Sequence, residues 1–205
     1  MMGKRIQKNW DLLSGQTGAI CLLGVTFLVG GLLGVLYVGL ESRSGAEELR
    51  NYLIDYLSVL SDGTAEVPLW PLLRDRLSEL LLTLLLGSTP LGVLGLPVLF
   101  CIQGFRFGFS VTCFCRVFGG AGLFPAFALF GLPEIVWLPL LFLAGTRGLL
   151  LVRDMLTVRR TGGGTVSMSG LWLRLGLYTV LLFVCVLIEN MAVPVLLRAA
   201  AQVVL

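Results

Sequence analysis

The residues of this sequence best able to do chemistry are two carboxylates that stand in apolar surroundings, Glu134 and Glu189. An ionisable side chain inside a membrane costs on the order of 2.5–3.5 kcal/mol to insert, so it needs a charged partner or water. Each carboxylate therefore indicates either an ion pair between helices or a site that handles a proton or a small ligand. Candidate partners for an ion pair are Arg106, Arg116, Arg147 and Arg174.

Other chemistry is hard to build from this composition. The chain has no histidine, which removes the imidazole base, pH switch and metal ligand. The five cysteines all lie in apolar stretches, where burial as small hydrophobic side chains is the ordinary role. No H-E-x-x-H, G-x-S-x-G or phosphate-binding loop motif occurs. We therefore expect no catalytic residues, no metal and no cofactor.

The elements that must hold the two carboxylates are membrane helices. Residues 80–152 form a run of 73 residues with four charged side chains, Arg106, Arg116, Glu134 and Arg147. A spanning helix needs about 20 apolar residues, so this run alone holds roughly three spans. One more apolar run lies near each end of the chain. The sequence predicts an all-α polytopic transmembrane bundle of about five spans, or six, forming one membrane domain over residues 1–205.

Glycine and proline set the expected limits of the spans. We expect spans over about 18–40, 77–102, a stretch ending near Phe118, one or two within 124–152, and 171–197. The second span must kink or break at 87–90 and again at Gly95 and Pro97. A break is also expected at Gly119-Gly120, and a short inner turn at 103–108. Small residues let membrane helices approach closely. The candidate packing glycines are Gly30, Gly34, Gly104 and Gly108.

The charge distribution predicts the orientation. Residues 41–79 carry eight acidic side chains and four arginines, whereas the remainder carries eleven basic and four acidic ones. Because cytoplasmic loops favour Lys and Arg, we expect a cytoplasmic N-terminus, a cytoplasmic loop at 153–170 and an extracytoplasmic segment at 41–75.

The extracytoplasmic segment contains an amphipathic helix pattern. Ser44 and Glu47 form a capping box, and apolar residues recur from Leu49 to Leu60 at helical spacing. This helix lies on the outer membrane surface, packs on the bundle or docks a partner. The candidate partner surface is its acidic face, which includes Glu47, Glu48 and Asp55.

The order of the central motifs resembles the stage II sporulation protein M family. Leu94-Gly95-Leu96-Pro97 followed by Gln103-Gly-Phe-Arg-Phe-Gly-Phe109 is similar to the family's Gly-Pro span and G-F-x-x-G-F turn. Phe130-Gly-Leu-Pro-Glu134 with Pro139 and Ala144-Gly145 is similar to its fourth span, and Ile188-Glu189 with Pro194 to its last. The resemblance covers about residues 75–197. Phe130 stands where many wider relatives have histidine, so any role of that histidine is absent.

The resemblance implies a noncatalytic membrane component of the engulfment machinery of endospore-forming bacteria. It implies a location in the mother-cell membrane at the sporulation septum. The implied partners are sporulation proteins D and P, two peptidoglycan-degrading enzymes that the family member is thought to hold there during remodelling of the septal wall. The alternative is a small transporter or channel subunit that uses Glu134 and Glu189, which the broken second span also favours.

Overall fold

All regular secondary structure in the described part of the chain is helical. The structure is a computed structural model, and it describes residues 2–40, 69–161, 177–187 and 189–191. The long helices are α1 (Met2–Leu40), α2 (Leu69–Gly87), α3 (Gly92–Phe118) and α5 (Leu132–Thr161). Between α3 and α5 lie a 3₁₀ turn (Gly119–Gly122), the short α4 (Leu123–Ala126) and a π-helical turn (Phe127–Gly131). A shorter apolar helix, α6, follows at Leu177–Met191. The predicted all-α class is confirmed.

Three helices of the described residues are long and apolar enough to cross a bilayer. They are Gly15–Leu40, Gly92–Phe118 and Leu132–Thr157, with mean hydropathies of 2.5, 1.5 and 2.0. At 1.5 Å per residue, 26 residues extend about 39 Å, which exceeds the roughly 30 Å hydrocarbon core. Many apolar side chains on these helices point away from the protein, such as Leu28 at 65% exposure. Such surfaces suit lipid as solvent, and the helical membrane bundle is confirmed.

The turn between α2 and α3 lies at the first interruption that the sequence predicts within the second span, residues 87–90. The chain turns at residues 88–91, and α3 then runs unbroken through Pro97 and through residues 103–108. Pro90 has no amide hydrogen to donate. The freed carbonyl of Leu86 instead accepts hydrogen bonds from the Thr89 backbone and side chain, at 3.2 Å each. At Gly95 and Pro97 the helix does not break, and the predicted turn at 103–108 was wrong because these residues lie within α3.

Pro97 is tolerated because of its place in the helix. It is the sixth residue of α3, which begins at Gly92, so its missing amide leaves one early carbonyl without its helical partner. The predicted break at Gly119 is confirmed, since α3 ends at Phe118 and Gly119 has φ of +62°. That left-handed conformation is one that glycine adopts readily. The long fourth segment forms one helical path from Leu123, with Pro139 inside α5.

Glycines let α1 and α3 pack backbone to backbone. The four predicted packing glycines all lie at this contact, and a Cβ added to any of them would overlap the backbone of the opposite helix. The contacts pair Gly30 with Cys101, Gly34 with Phe105, Gly104 with Phe27, and Gly108 with Gly31. Residue numbers rise together on the two helices, so α1 and α3 are parallel. This is the close approach that small residues permit in membranes.

Further contacts fix the directions of the other helices. Gly87 meets Gly148 and Arg76 meets Glu134, so α2 and α5 are parallel. Gly15 lies beside Arg153, whereas Gly145 lies beside Leu23, so α1 and α5 are antiparallel. Consequently α1 ends and both α2 and α5 begin at one end of the bundle, called here the Glu134 end. The opposite end, where α2 and α5 finish, is called the Arg153 end.

The parallel packing of α1 on α3 generates a prediction. Gly30→Ala places a methyl group into the backbone of Cys101, which should cost about 1–3 kcal/mol as overpacking and lower the Tm of the purified protein in detergent. Gly24→Ala, on the same helix, is the matched control, because a Cβ there meets nothing within 4 Å. Thermal unfolding of the two variants is the measurement. Equal Tm values would show that this close contact does not limit stability.

Candidate functional site

The two carboxylates singled out in the sequence converge on one arginine, Arg76 of α2. Its Nη1 lies 3.1 Å from Glu134 Oε1, and its Nη2 lies 3.3 Å from Glu189 Oε1. The Arg76 side chain is 13% exposed, and the two carboxylates are comparably buried. A charged group so far out of water is stable only when paired and hydrogen-bonded. One guanidinium therefore joins α2 to α5 and α6.

A third carboxylate, Glu79 of α2, extends the charged cluster to α3. Its Oε1 accepts a hydrogen bond from Arg106 Nη1 at 2.6 Å, and its Oε2 accepts one from Trp137 Nε1 at 3.1 Å. The Trp137 ring is fully buried, and the Arg76 guanidinium carbon lies 5.3 Å from the ring centroid. At that distance the ring face attracts the cation. We call the six residues Arg76, Glu79, Arg106, Glu134, Trp137 and Glu189 the Arg76 network.

Helical spacing explains how the network is assembled. Arg76 and Glu79 stand three residues apart on α2, and Glu134 and Trp137 stand three apart on α5. Residues at this spacing share a helix face. Two such faces meet because α2 and α5 are parallel and in close contact. The network thus needs only one residue from each of α3 and α6 to be complete.

The network carries more negative than positive groups. It holds three carboxylates and two guanidinium groups, and Arg106 is 63% exposed whereas Arg76 is buried. Glu189 Oε2 is buried and has no hydrogen-bond partner among the residues that the structure describes. Breaking a buried pair is expensive because it strands a charge, commonly by 3–5 kcal/mol. Chemically the arrangement is a clamp between helices in which one carboxylate oxygen, Glu189 Oε2, accepts no hydrogen bond from a described residue.

Sequence reasoning found only part of this network. The two predicted carboxylates, Glu134 and Glu189, lie close together, but their partner is Arg76, which was not among the predicted cationic partners. Of the predicted cationic partners, Arg106 belongs to the network through Glu79 rather than through either predicted carboxylate. The usable signal was the Arg76–Glu79 spacing within an apolar stretch, which places both on one face of a helix.

The remaining predicted residues lie away from the network. Arg116 donates to the Val38 carbonyl of α1, and Arg147 is exposed on α5. Arg174 lies outside the described residues, as do Glu47, Glu48 and Asp55 of the predicted partner surface. Phe130, at the position of the absent histidine, packs against Phe114 with ring centroids 5.6 Å apart. The contact at that position is therefore aromatic and apolar.

Fold and network together define a class: an integral membrane bundle of helices clamped by charged residues at one end. The family model described as stage II sporulation protein M matches residues 23–194, a range that includes every residue of the Arg76 network. The chain belongs to the stage II sporulation protein M family and is a sporulation-related membrane protein. No match was found among curated proteins or among solved structures.

The clamp predicts a large effect from loss of its central cation. Arg76→Leu leaves Glu134 and Glu189 buried without their partner and should destabilise the protein by about 3–5 kcal/mol, with a matching fall in accumulation in the membrane. Arg147→Leu is the matched control, because it removes an arginine that is exposed on α5. Membrane accumulation and Tm of both variants are the measurements. Equal values for the two would contradict the clamp.

Proposed function

We propose that this protein is a noncatalytic membrane scaffold that holds peptidoglycan-degrading enzymes at the sporulation septum during engulfment. The partners proposed, from the family resemblance, are sporulation proteins D and P. The proposed location is the mother-cell membrane, with the N-terminus in the cytoplasm. Family membership supports the sporulation setting, and the site's geometry supports a structural role.

The observation that carries the proposal is the position of the Arg76 network. It ties α2, α3, α5 and α6 together at the Glu134 end. At the same end, α1 finishes at Leu40 and α2 starts at Leu69, so both flanks of the acidic segment 41–68 are anchored there. A rigid base under an acidic segment is what a docking platform requires, since preorganisation lowers the cost of binding.

Charge also supports this choice of docking segment. The charged groups of the network are largely buried and face one another, so they are poorly placed to meet a partner. Segment 41–68 carries Glu47, Glu48 and Asp55 on the predicted polar face of its amphipathic helix. Complementary charge governs encounter rate and specificity at protein interfaces. The proposed partner surface is therefore this acidic face.

Charge reversal on that face tests the scaffold. The triple variant Glu47→Lys, Glu48→Lys, Asp55→Lys should insert and accumulate normally, because exposed charges contribute little to folding. It should recover substantially less of sporulation proteins D and P on co-purification from sporulating cells at matched abundance. Asp154→Lys, which reverses an exposed carboxylate at the Arg153 end, is the control and should recover both partners.

Two outcomes would revise the proposal in different ways. Equal recovery by the triple variant and the wild type would exclude this face and move the docking surface to the spans or another loop. Recovery of neither enzyme by the wild-type protein would remove the scaffold function itself and favour transport.

A small transporter or channel subunit is the second candidate, and one observation favours it. Glu189 Oε2 is buried without a hydrogen-bond partner among the described residues, and the network has an excess carboxylate. Intramembrane carboxylates of this kind occur on proton and ion pathways. The two candidates differ in whether the Glu189 carboxylate must be able to ionise.

Substitution of Glu189 separates a structural from a proton-linked carboxylate. Glu189→Gln keeps shape and hydrogen bonding, so the scaffold reading expects nearly full sporulation efficiency. Glu189→Leu should lower accumulation, since Arg76 loses a buried partner. Sporulation efficiency, scored beside protein abundance, is the measurement. Loss of sporulation by Glu189→Gln at normal abundance would refute the structural role and support proton-linked transport.

A further inference from the structure

The Arg153 end of the bundle has a groove that neither the Arg76 network nor the proposed scaffold role uses. It has a volume of about 730 Å³ and lies between α1, the start of α3 and the end of α5. That volume falls in the range of ordinary ligand pockets. Its lining is mostly apolar, with Ala19 and Leu22 from α1, Val93 from α3, and Leu149 and Leu156 from α5.

One cation stands in this lining. Arg153 lines the groove, is exposed, and lies over Gly15, where an added Cβ would stand 3.0 Å from Arg153 Nη1. No carboxylate whose side chain the structure describes forms an ion pair with it. The groove thus combines an apolar wall with one guanidinium that is available to an anion.

The surrounding sequence strengthens the positive charge. Lys4, Arg5 and Lys8 precede Gly15 on the same helix, and Arg159 and Arg160 follow the last groove residue on α5. Against these basic residues stand only Asp11 and Asp154 in the same stretches of the chain. By sequence both stretches carry net positive charge, which favours an anionic ligand.

The opening of the groove toward the membrane indicates which kind of anion would bind. Leu22 and Leu156 are 47% and 38% exposed, so the groove is open on a face of helices that span the bilayer. A ligand that enters it from the membrane needs an apolar body beside the leucines and an anionic head at Arg153. Basic pockets between membrane helices on the cytoplasmic side bind the headgroups of anionic lipids. The geometry points to a binding site for an anionic phospholipid, with its headgroup phosphate on Arg153 and an acyl chain in the groove.

The chain offers matched variants for both halves of the site. Arg153→Gln removes the cation from the groove, whereas Arg147→Gln removes an exposed cation from the same helix outside it. Gly18→Leu puts a side chain into the groove, since Gly18 lines it and its Cβ position is open. Gly24→Leu adds the same side chain to α1 at an equally open position outside the groove.

The experiment measures lipid retention by the full-length protein in mild detergent, by native mass spectrometry. The probes are phosphatidylglycerol and phosphatidylcholine with identical acyl chains. Wild-type protein should retain phosphatidylglycerol in preference. Arg153→Gln should weaken phosphatidylglycerol binding about fivefold, which corresponds to roughly 1 kcal/mol for one basic residue at an anionic surface. Gly18→Leu should also reduce retention, while Arg147→Gln and Gly24→Leu should match the wild type.

Each alternative has its own result. Equal retention of the two lipids by wild-type protein, or equal losses in Arg153→Gln and Arg147→Gln, would overturn the site. A rise in Tm with inorganic phosphate as large as that with phosphatidylglycerol would overturn the lipid assignment and leave a simple anion site. Should Gly18→Leu fail to fold, the exposed Arg153 substitution still decides the question. Failure here leaves the scaffold proposal intact, because the two rest on opposite ends of the bundle.

Discussion

The whole bundle depends on one electrostatic constraint: a guanidinium withdrawn from water must keep its carboxylates. Arg76 is held by Glu134 and Glu189, on two other helices, and lies against the ring of Trp137. The pairing need not make the fold more stable than an apolar replacement would. It does make the helix arrangement specific, because any slip of α2 against α5 or α6 strands a charge in a medium that cannot solvate it. The network thus sets register where lipid, being as apolar as leucine, gives little discrimination.

A different force operates along α1 and α3, which are joined by glycine contacts and not by any ion pair among the described side chains. Glycines on both helices bring the backbones into contact, so dispersion and close packing take the place of ion pairing. A second glycine contact, Gly87 with Gly148, joins α2 and α5 at the far end from Arg76. The α2–α5 pair is therefore fixed at both ends, electrostatically at one and sterically at the other.

The predictable features were those that depend on composition and local chemistry. Hydropathy identified a helical membrane protein, the glycine pair at 119–120 identified the end of α3, and isolated carboxylates marked Glu134 and Glu189. Positions that depend on tertiary partners were less accessible. Gly87 and Pro90 marked the interruption at 87–90, but the local sequence did not show that the chain turns there rather than at 103–108. It also did not show that Pro97, near the start of α3, costs a single hydrogen bond. Arg76 was missed because a charge at a span's edge resembles a loop charge until the helices that surround it are known.

The two ends of the bundle differ in whether their arginines are paired with carboxylates, and this difference constrains function. At the Glu134 end the carboxylates and arginines of the Arg76 network are largely satisfied by one another. At the Arg153 end an exposed guanidinium adjoins an apolar groove and lacks an ion-pair partner among the described residues. A structural clamp requires charged groups that are paired with each other, whereas an anion-binding site requires a cation that can pair with the ligand. An arginine on a membrane helix therefore has a structural role at one end, as Arg76, and is the proposed lipid-binding group at the other, as Arg153.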